Sequence, residues 1–206
     1  MGRKLNTVKI DRGYHHGNLR QALLESALML LTERGVEGFS LRETARRAGV
    51  SPAAPKHHFQ DARALLTALA TIAFGRLADA LEAAGCSAGD VTAARIRAQG
   101  VAYVGFALAN RALFDLMWRT ALIDMSDPAL VAAKHRAFAV LDHAIRGADA
   151  PQAALHAPEM ARTLAHWSIV HGLASLALDG VFGDEAKTEH AVRAIVPEVL
   201  SLLLAP

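Results

Sequence analysis

The chain is expected to be all-α. Alanine and leucine dominate its 206 residues, β-branched runs are few, and apolar positions recur at spacings of three and four. With 52% hydrophobic and 20% charged residues it can bury a substantial core, which excludes a disordered chain. One cysteine, Cys86, excludes a disulfide framework and a multi-thiolate metal centre, and suits a reducing, cytoplasmic compartment. Residues 1–10 mix Arg3, Lys4 and Lys9 with scattered apolar residues and lack the apolar stretch of a signal peptide, so export is not expected. The longest uncharged stretch, between Arg162 and Asp179, includes His166 and His171 and falls short of the ~20 apolar residues of a bilayer span, so no membrane partner is expected.

About nine helices follow from the local signals. The first spans 18–34, with Leu19, Leu23, Ala27, Leu30 and Leu31 on one face and Gly35 as its stop. Ser40-Leu41-Arg42-Glu43 has the form of a capping box, in which serine and glutamate each satisfy a backbone donor of the other, and it starts a short second helix. That helix stops at Gly49-Val50, and Ser51-Pro52 restarts the chain with a cap and a proline at the first helical position. Pro55 removes an amide near the first internal bond of the third helix, which must be short or distorted there. Asp61 caps a long fourth helix over 62–84, ending at Gly85, with a polar loop to Asp90 as boundary or hinge. Further helices read as 91–109, 111–123, 128–146, 158–178 and 185–204; Asp127-Pro128 marks one start and Gly147 one end.

Net charge is only +2, but it is unevenly placed. Residues 1–66 carry eleven Lys/Arg against six Asp/Glu, a balance of +5, and the remainder carries eleven against fourteen, a balance of −3. A basic head on a mildly acidic body is suited to a polyanion, for which charge alone leaves a membrane surface in competition with nucleic acid. Within that head, residues 40–58 have helix, glycine turn and second helix at helix-turn-helix spacing, which fits either a plain helical hairpin or a DNA reader; the charge asymmetry favours DNA.

The residues Tyr14-His15-His16-Gly17-Asn18-Leu19-Arg20, Gly38-Phe39-Ser40-Leu41-Arg42, Ala48-Gly49-Val50-Ser51 and His58-Phe59, in that order, closely resemble the tetracycline-repressor (TetR) family of bacterial transcription regulators. Trp167-Ser168-Ile169-Val170-His171-Gly172 is similar to the Trp…His-Gly signature of one ligand-binding-domain subgroup. The resemblance implies a three-helix DNA-binding domain over 1–62 and a helical body over 63–206 that binds a small effector and pairs as a homodimer. It implies a ligand-responsive regulator, in most members a repressor, on a palindromic site in double-stranded DNA. The family's serine or threonine at the start of the second helix falls on Ser40, and its third-helix contact positions fall on Ser51, Pro52, Ala53, Lys56, His57 and His58; Arg42 is assigned to DNA with them. This chain departs from the family in having Lys56 where tyrosine is common and Ala62 where lysine is common; Arg63 stands beside the missing lysine as a substitute phosphate ligand or as a solvated residue. The two departures leave a second reading open, a scaffold with weak DNA affinity that acts through ligand or protein binding.

In the body, Tyr103, Phe106, Phe114, Met117, Trp118, Phe138, Trp167 and His171 form an apolar set with a few polar tips, as small-molecule pockets have, although each taken singly also suits core packing. Trp167 and His171 lie four apart and face the same way. The expected effector is hydrophobic or aromatic. Ala161, Ala165, Ser168, Gly172 and Ser175 make a stripe of small residues that another helix can approach closely, and Ile195, Val199 and Leu202 lie on an apolar stripe of the last helix. Such stripes serve packing within one subunit or between two; the resemblance selects a dimer interface. No glycine-rich phosphate loop, Ser-His-Asp signature or paired metal-ligand spacing is evident, so neither enzyme chemistry, cofactor nor metal is expected.

Overall fold

The computed structural model describes residues 19–151 and 153–204, all of whose regular structure is helical. The Tyr14 to Asn18 part of the family-like motif and the cations Arg3, Lys4, Lys9 and Arg12 lie outside the described residues. Eight α-helices run in order: α1 Leu19–Arg34, α2 Leu41–Arg47, α3 Ala62–Ser87, α4 Thr92–Ala109, α5 Arg111–Trp118, α6 Pro128–Arg146, α7 Ala161–Leu178 and α8 Glu185–Leu204.

Local signals explain most of the boundaries. The Asp61 carboxylate accepts from the Ala64 amide at 2.8 Å to open α3, and Asp127 does the same for Leu130 at 2.9 Å ahead of Pro128 at the first position of α6. Gly35 stops α1 with φ +67, a conformation that side chains disfavour. On α1 the inward face is fully buried at Leu23, Ala27, Leu30 and Leu31.

Several local features differ from the sequence reading; one is the start of α7, where Pro158–Met160 forms a 3₁₀ turn ahead of Ala161. The third helix of the head is reduced to a 3₁₀ turn, Ala54–His57, because prolines at 52 and 55 remove successive amides and the residue before each is biased away from α geometry. The capping box forms by half: the Glu43 amide reaches Ser40 Oγ at 3.5 Å, while the Glu43 carboxylate turns to Arg46 at 2.7 and 2.8 Å. Gly85 does not stop α3. It is buried within the helix, and a Cβ there would come within 2.8 Å of Gln99 Nε2, so its lack of a side chain lets α4 approach. The expected helix over 111–123 ends at Trp118, because the segment beyond it is held by α3: the Asp124 amide donates to Thr67 Oγ1 at 2.8 Å, and Ile123 is fully buried.

α3 is the central strut. It packs most extensively against α6 and α4 and also meets α5 and α1, and its buried residues include Leu65, Leu66, Leu69, Phe74, Leu77 and Leu81. Full burial of each such side chain contributes about 1.5–3 kcal/mol. By length and composition α3 is also apolar enough to cross a membrane, but its inward face is the core of this helical assembly.

Two glycines in the body have opposite surroundings. A Cβ on Gly100 would meet Leu200 Cδ1 at 2.3 Å and Val196 and Val170 at 3.2 and 3.3 Å, whereas one on Gly172 would meet nothing within 4 Å. Gly100→Val is therefore expected to destabilise the chain by about 1–3 kcal/mol through overpacking. Gly172→Ala should leave monomer stability unchanged or slightly raised; denaturant melts of the two variants check both.

Candidate DNA-binding head and effector cavity

In the head, α2 and the 3₁₀ turn flank a tight turn in which Gly49 has φ +73 and the Val50 amide donates to the Ala45 carbonyl at 3.0 Å. Pro55 and Phe59 are buried beneath this turn, and the Arg20 guanidinium sits 5.3 Å from the Phe59 ring centroid. All nine residues assigned to DNA, Ser40, Arg42, Ser51, Pro52, Ala53, Lys56, His57, His58 and Arg63, are exposed.

Their charges are not equally available. Glu43 holds Arg46 and lies near Arg34 and Arg47, and the Arg46 hydrogen bonds, with the neighbouring cations, lower its carboxyl to about 2. Arg47 is paired with both oxygens of Glu33. Two carboxylates thus engage three of the head's arginines and offset two of their three charges. Arg42 and Lys56 have no acidic partner among the described residues. Arg63 donates through Nη2 to the Ile123 carbonyl at 3.0 Å, which ties the start of α3 to the loop after α5.

Behind the head lies a cavity of about 500 Å³ walled by α3, α4, α5, α6 and α7. That size is within the ~300–1,000 Å³ of small-molecule sites. Of the eight residues expected there, Tyr103, Trp118, Phe138 and Trp167 line it. Phe114 and His171 stand behind them: Phe114 meets Tyr103 and Trp118 edge-on at centroid distances of 5.8 and 6.0 Å, and His171 lies 4.7 Å from the Trp118 ring. Phe106 and Met117 are buried in the surrounding core and are absent from the wall.

The Tyr103 hydroxyl and His171 Nδ1 are 3.0 Å apart. Burial raises the Tyr103 phenol well above its ordinary range, with the Trp167 hydrogen bond opposing, and burial lowers the His171 imidazole. Both groups are held neutral, so the aromatic wall carries a polar tip without charge. Sequence reading named only Phe138 on α6, where Lys134, Asp142 and Arg146 also line the cavity with His135 and His143. The signal was present, since Lys134, Phe138, Asp142 and Arg146 recur every four residues on the face that carries Phe138.

Ala161, Ala165 and Ser168 on α7 are exposed, and Gly172 and Ser175 are half-buried. On α8, Ile195 is 38% and Leu202 78% exposed, with Val199 half-buried between them. The opposite faces of both helices point inward through Thr163, His166 and Val170 on α7 and Val192, Val196 and Leu200 on α8. The small-residue and apolar stripes are therefore only partly covered by packing within the subunit. Among the described residues no three His, Cys, Asp or Glu side chains gather as a metal site.

Because burial favours neutral His171, the folded chain takes up that proton less readily than the unfolded chain. Its contribution to stability is complete above the ordinary imidazole value near ~6.5 and is lost as the pH falls below it. The thermal midpoint is expected to fall between pH 7 and pH 5 less steeply in His171→Gln than in the parent chain, as thermal melts across that range will show.

Comparison with known proteins agrees with this architecture. The family model described as the tetracyclin repressor-like C-terminal domain matches residues 96–199, half of the chain, and the model of bacterial regulatory proteins of the tetR family matches residues 23–69. The tetracycline repressor protein class C of Escherichia coli is 47% identical over 51 residues, which is 25% of this chain and 23% of that protein, so this match spans under a quarter of the relative. A solved structure of a protein of unknown function from Rhodococcus sp. RHA1 is 37% identical with a TM-score of 0.74, covering 95% of this chain and 100% of that one. The TetR-like transcriptional regulator LfrR from Mycobacterium smegmatis, solved in complex with proflavine, shares the fold at 19% identity and a TM-score of 0.62, covering 92% of this chain and 98% of its own. With a match to the C-terminal family model over half its length, and the N-terminal model matched as well, the chain belongs to the TetR family of bacterial regulatory proteins.

Proposed function

We propose that this chain is a cytoplasmic, ligand-responsive repressor that binds a palindromic operator as a homodimer and is released by a small hydrophobic or aromatic effector. The head is 1–62 and the body 63–206. The observation that carries the reading is that one continuous helix serves both parts: α3 begins at the head, where Arg63 and Thr67 grip the loop after α5, and runs on to wall the cavity with Phe74, Leu77 and Leu81. A ligand that alters the packing of Trp118, at the end of α5, acts directly on the loop that holds the start of α3. Arg119, the next residue, also lies 3.7 Å from Glu37 of the head. The ligand's leverage equals its differential affinity for the two arrangements.

On DNA, Arg42 and Lys56 supply the free cations, and Arg63 acts first as a latch between head and body. Pro52 and Ala53 present no side-chain donors, so base reading rests on Lys56, His57 and apolar contact with thymine methyls. Lys56→Ala is expected to weaken binding to the operator about tenfold and to narrow its advantage over unrelated DNA, measured as affinity for both DNAs across a salt series. Unchanged affinity in both Lys56→Ala and Arg42→Ala would favour the scaffold reading with weak DNA affinity.

The stripes of α7 and α8 fit a four-helix interface with a second copy, Ala161, Ala165, Ser168, Gly172 and Ser175 allowing close approach and Ile195, Val199 and Leu202 supplying apolar area. Two heads would then enter major grooves ~34 Å apart. Ser168→Arg should yield a folded monomer with operator affinity reduced at least tenfold; sedimentation and DNA titration read the two effects, and a dimer of undiminished affinity would refute this interface.

A further inference from the structure

We propose that the cavity selects an amphipathic anion, a carboxylate on an apolar or aryl body, and that Lys134 is the residue that pairs with its head. This deepens the proposed function and rests on the cavity being the effector site. Among the described residues the cavity wall holds one carboxylate, Asp142, and that charge is already spent: Arg146 engages both oxygens at 2.7 and 2.5 Å, and Thr163 donates to the same group at 2.9 Å. Lys134, half-buried in the same wall, has no hydrogen bond or ion pair among the described residues. Its ammonium is lowered by burial, with no acidic neighbour opposing. The wall therefore carries an uncompensated cation, and a buried charge of that kind is costly until an opposite charge reaches it.

The wall's one carboxylate is engaged by Arg146 and Thr163 while Lys134 stands unpaired, a balance that rewards a ligand anion and penalises a ligand cation. The rest of the lining is aromatic and aliphatic, which fits the body of such a ligand.

The test is calorimetric titration of the full chain with three compounds that share one tail: phenylhexanoate, phenylhexanol and phenylhexylamine. The carboxylate should bind about tenfold more tightly than the alcohol, and the amine most weakly. Lys134→Met should weaken the carboxylate about tenfold while leaving the alcohol within about twofold, and Lys134→Arg should restore most of the loss. If the alcohol matches the carboxylate, if the amine binds best, or if Lys134→Met leaves the order unchanged, the charge assignment is wrong while the effector site stands. Both tryptophans of the chain line the cavity, so their fluorescence reports occupancy directly. If none of the three compounds binds or changes that fluorescence, the cavity is not an effector site and both readings fall.

Discussion

The structure depends on the burial of α3 between α4 and α6. A single 26-residue helix supplies apolar surface to the head at one end and to the cavity at the other, so neither end can repack without the other feeling it. Most of its register is set by Leu65, Leu69, Ala70, Ala73, Leu77 and Leu81, which are almost wholly removed from water. Two polar contacts then anchor its first turns, Arg63 to the Ile123 carbonyl and Thr67 to the Asp124 amide. Each is a satisfied hydrogen bond at a half-buried position, where leaving a partner unmade costs about 1–3 kcal/mol. The connection between the two halves of the molecule is thus specific in position as well as apolar.

Electrostatics in the head follow a different logic. A basic composition suggests many phosphate ligands, but Glu33 and Glu43 absorb Arg46 and Arg47 and lie close to Arg34. Exposed pairs of this kind contribute little to stability. Their consequence is selection: they fix which cations face outward unpaired, leaving Arg42 and Lys56 on either side of the turn. Lys56 stands within the 3₁₀ turn Ala54–His57, and Pro52 and Ala53, without side-chain donors, lie between it and the glycine turn.

The cavity is a region where close packing has been given up. Phe74, Phe114, Trp118, Trp167 and Phe138 contact one another mostly edge to face, which keeps the walls rigid while leaving the centre open. Tyr103 and His171 add a neutral polar pair, and α6 adds one compensated and one uncompensated charge. A rigid aromatic wall with a few oriented polar groups discriminates ligands by shape first and by head group second.

Local chemistry made much of this protein legible in its residue order. Periodic leucines set the inward face of α1, Asp61 and Asp127 set the starts of α3 and α6, and the glycine turn at 49 with its flanking motifs announced the head, because caps, turns and amphipathic faces act within one or two helical turns. Pro55 likewise foretold a short or distorted third helix, though not that it would shrink to one 3₁₀ turn. Other features required distant partners. Gly85 reads as a stop and is instead a site of close approach, because Gln99 lies against it; the helix after Arg111 ends early because Thr67 and Arg63 capture the chain beyond it; Tyr103 and Trp118 reach the cavity while Phe106 and Met117 turn into the core. Lys134 has no special mark among 22 basic residues until α6 is rolled so that its face meets the cavity. These outcomes rest on contacts between residues tens of positions apart, whose energies are comparable to the local preferences they override and are invisible until the helices are packed together.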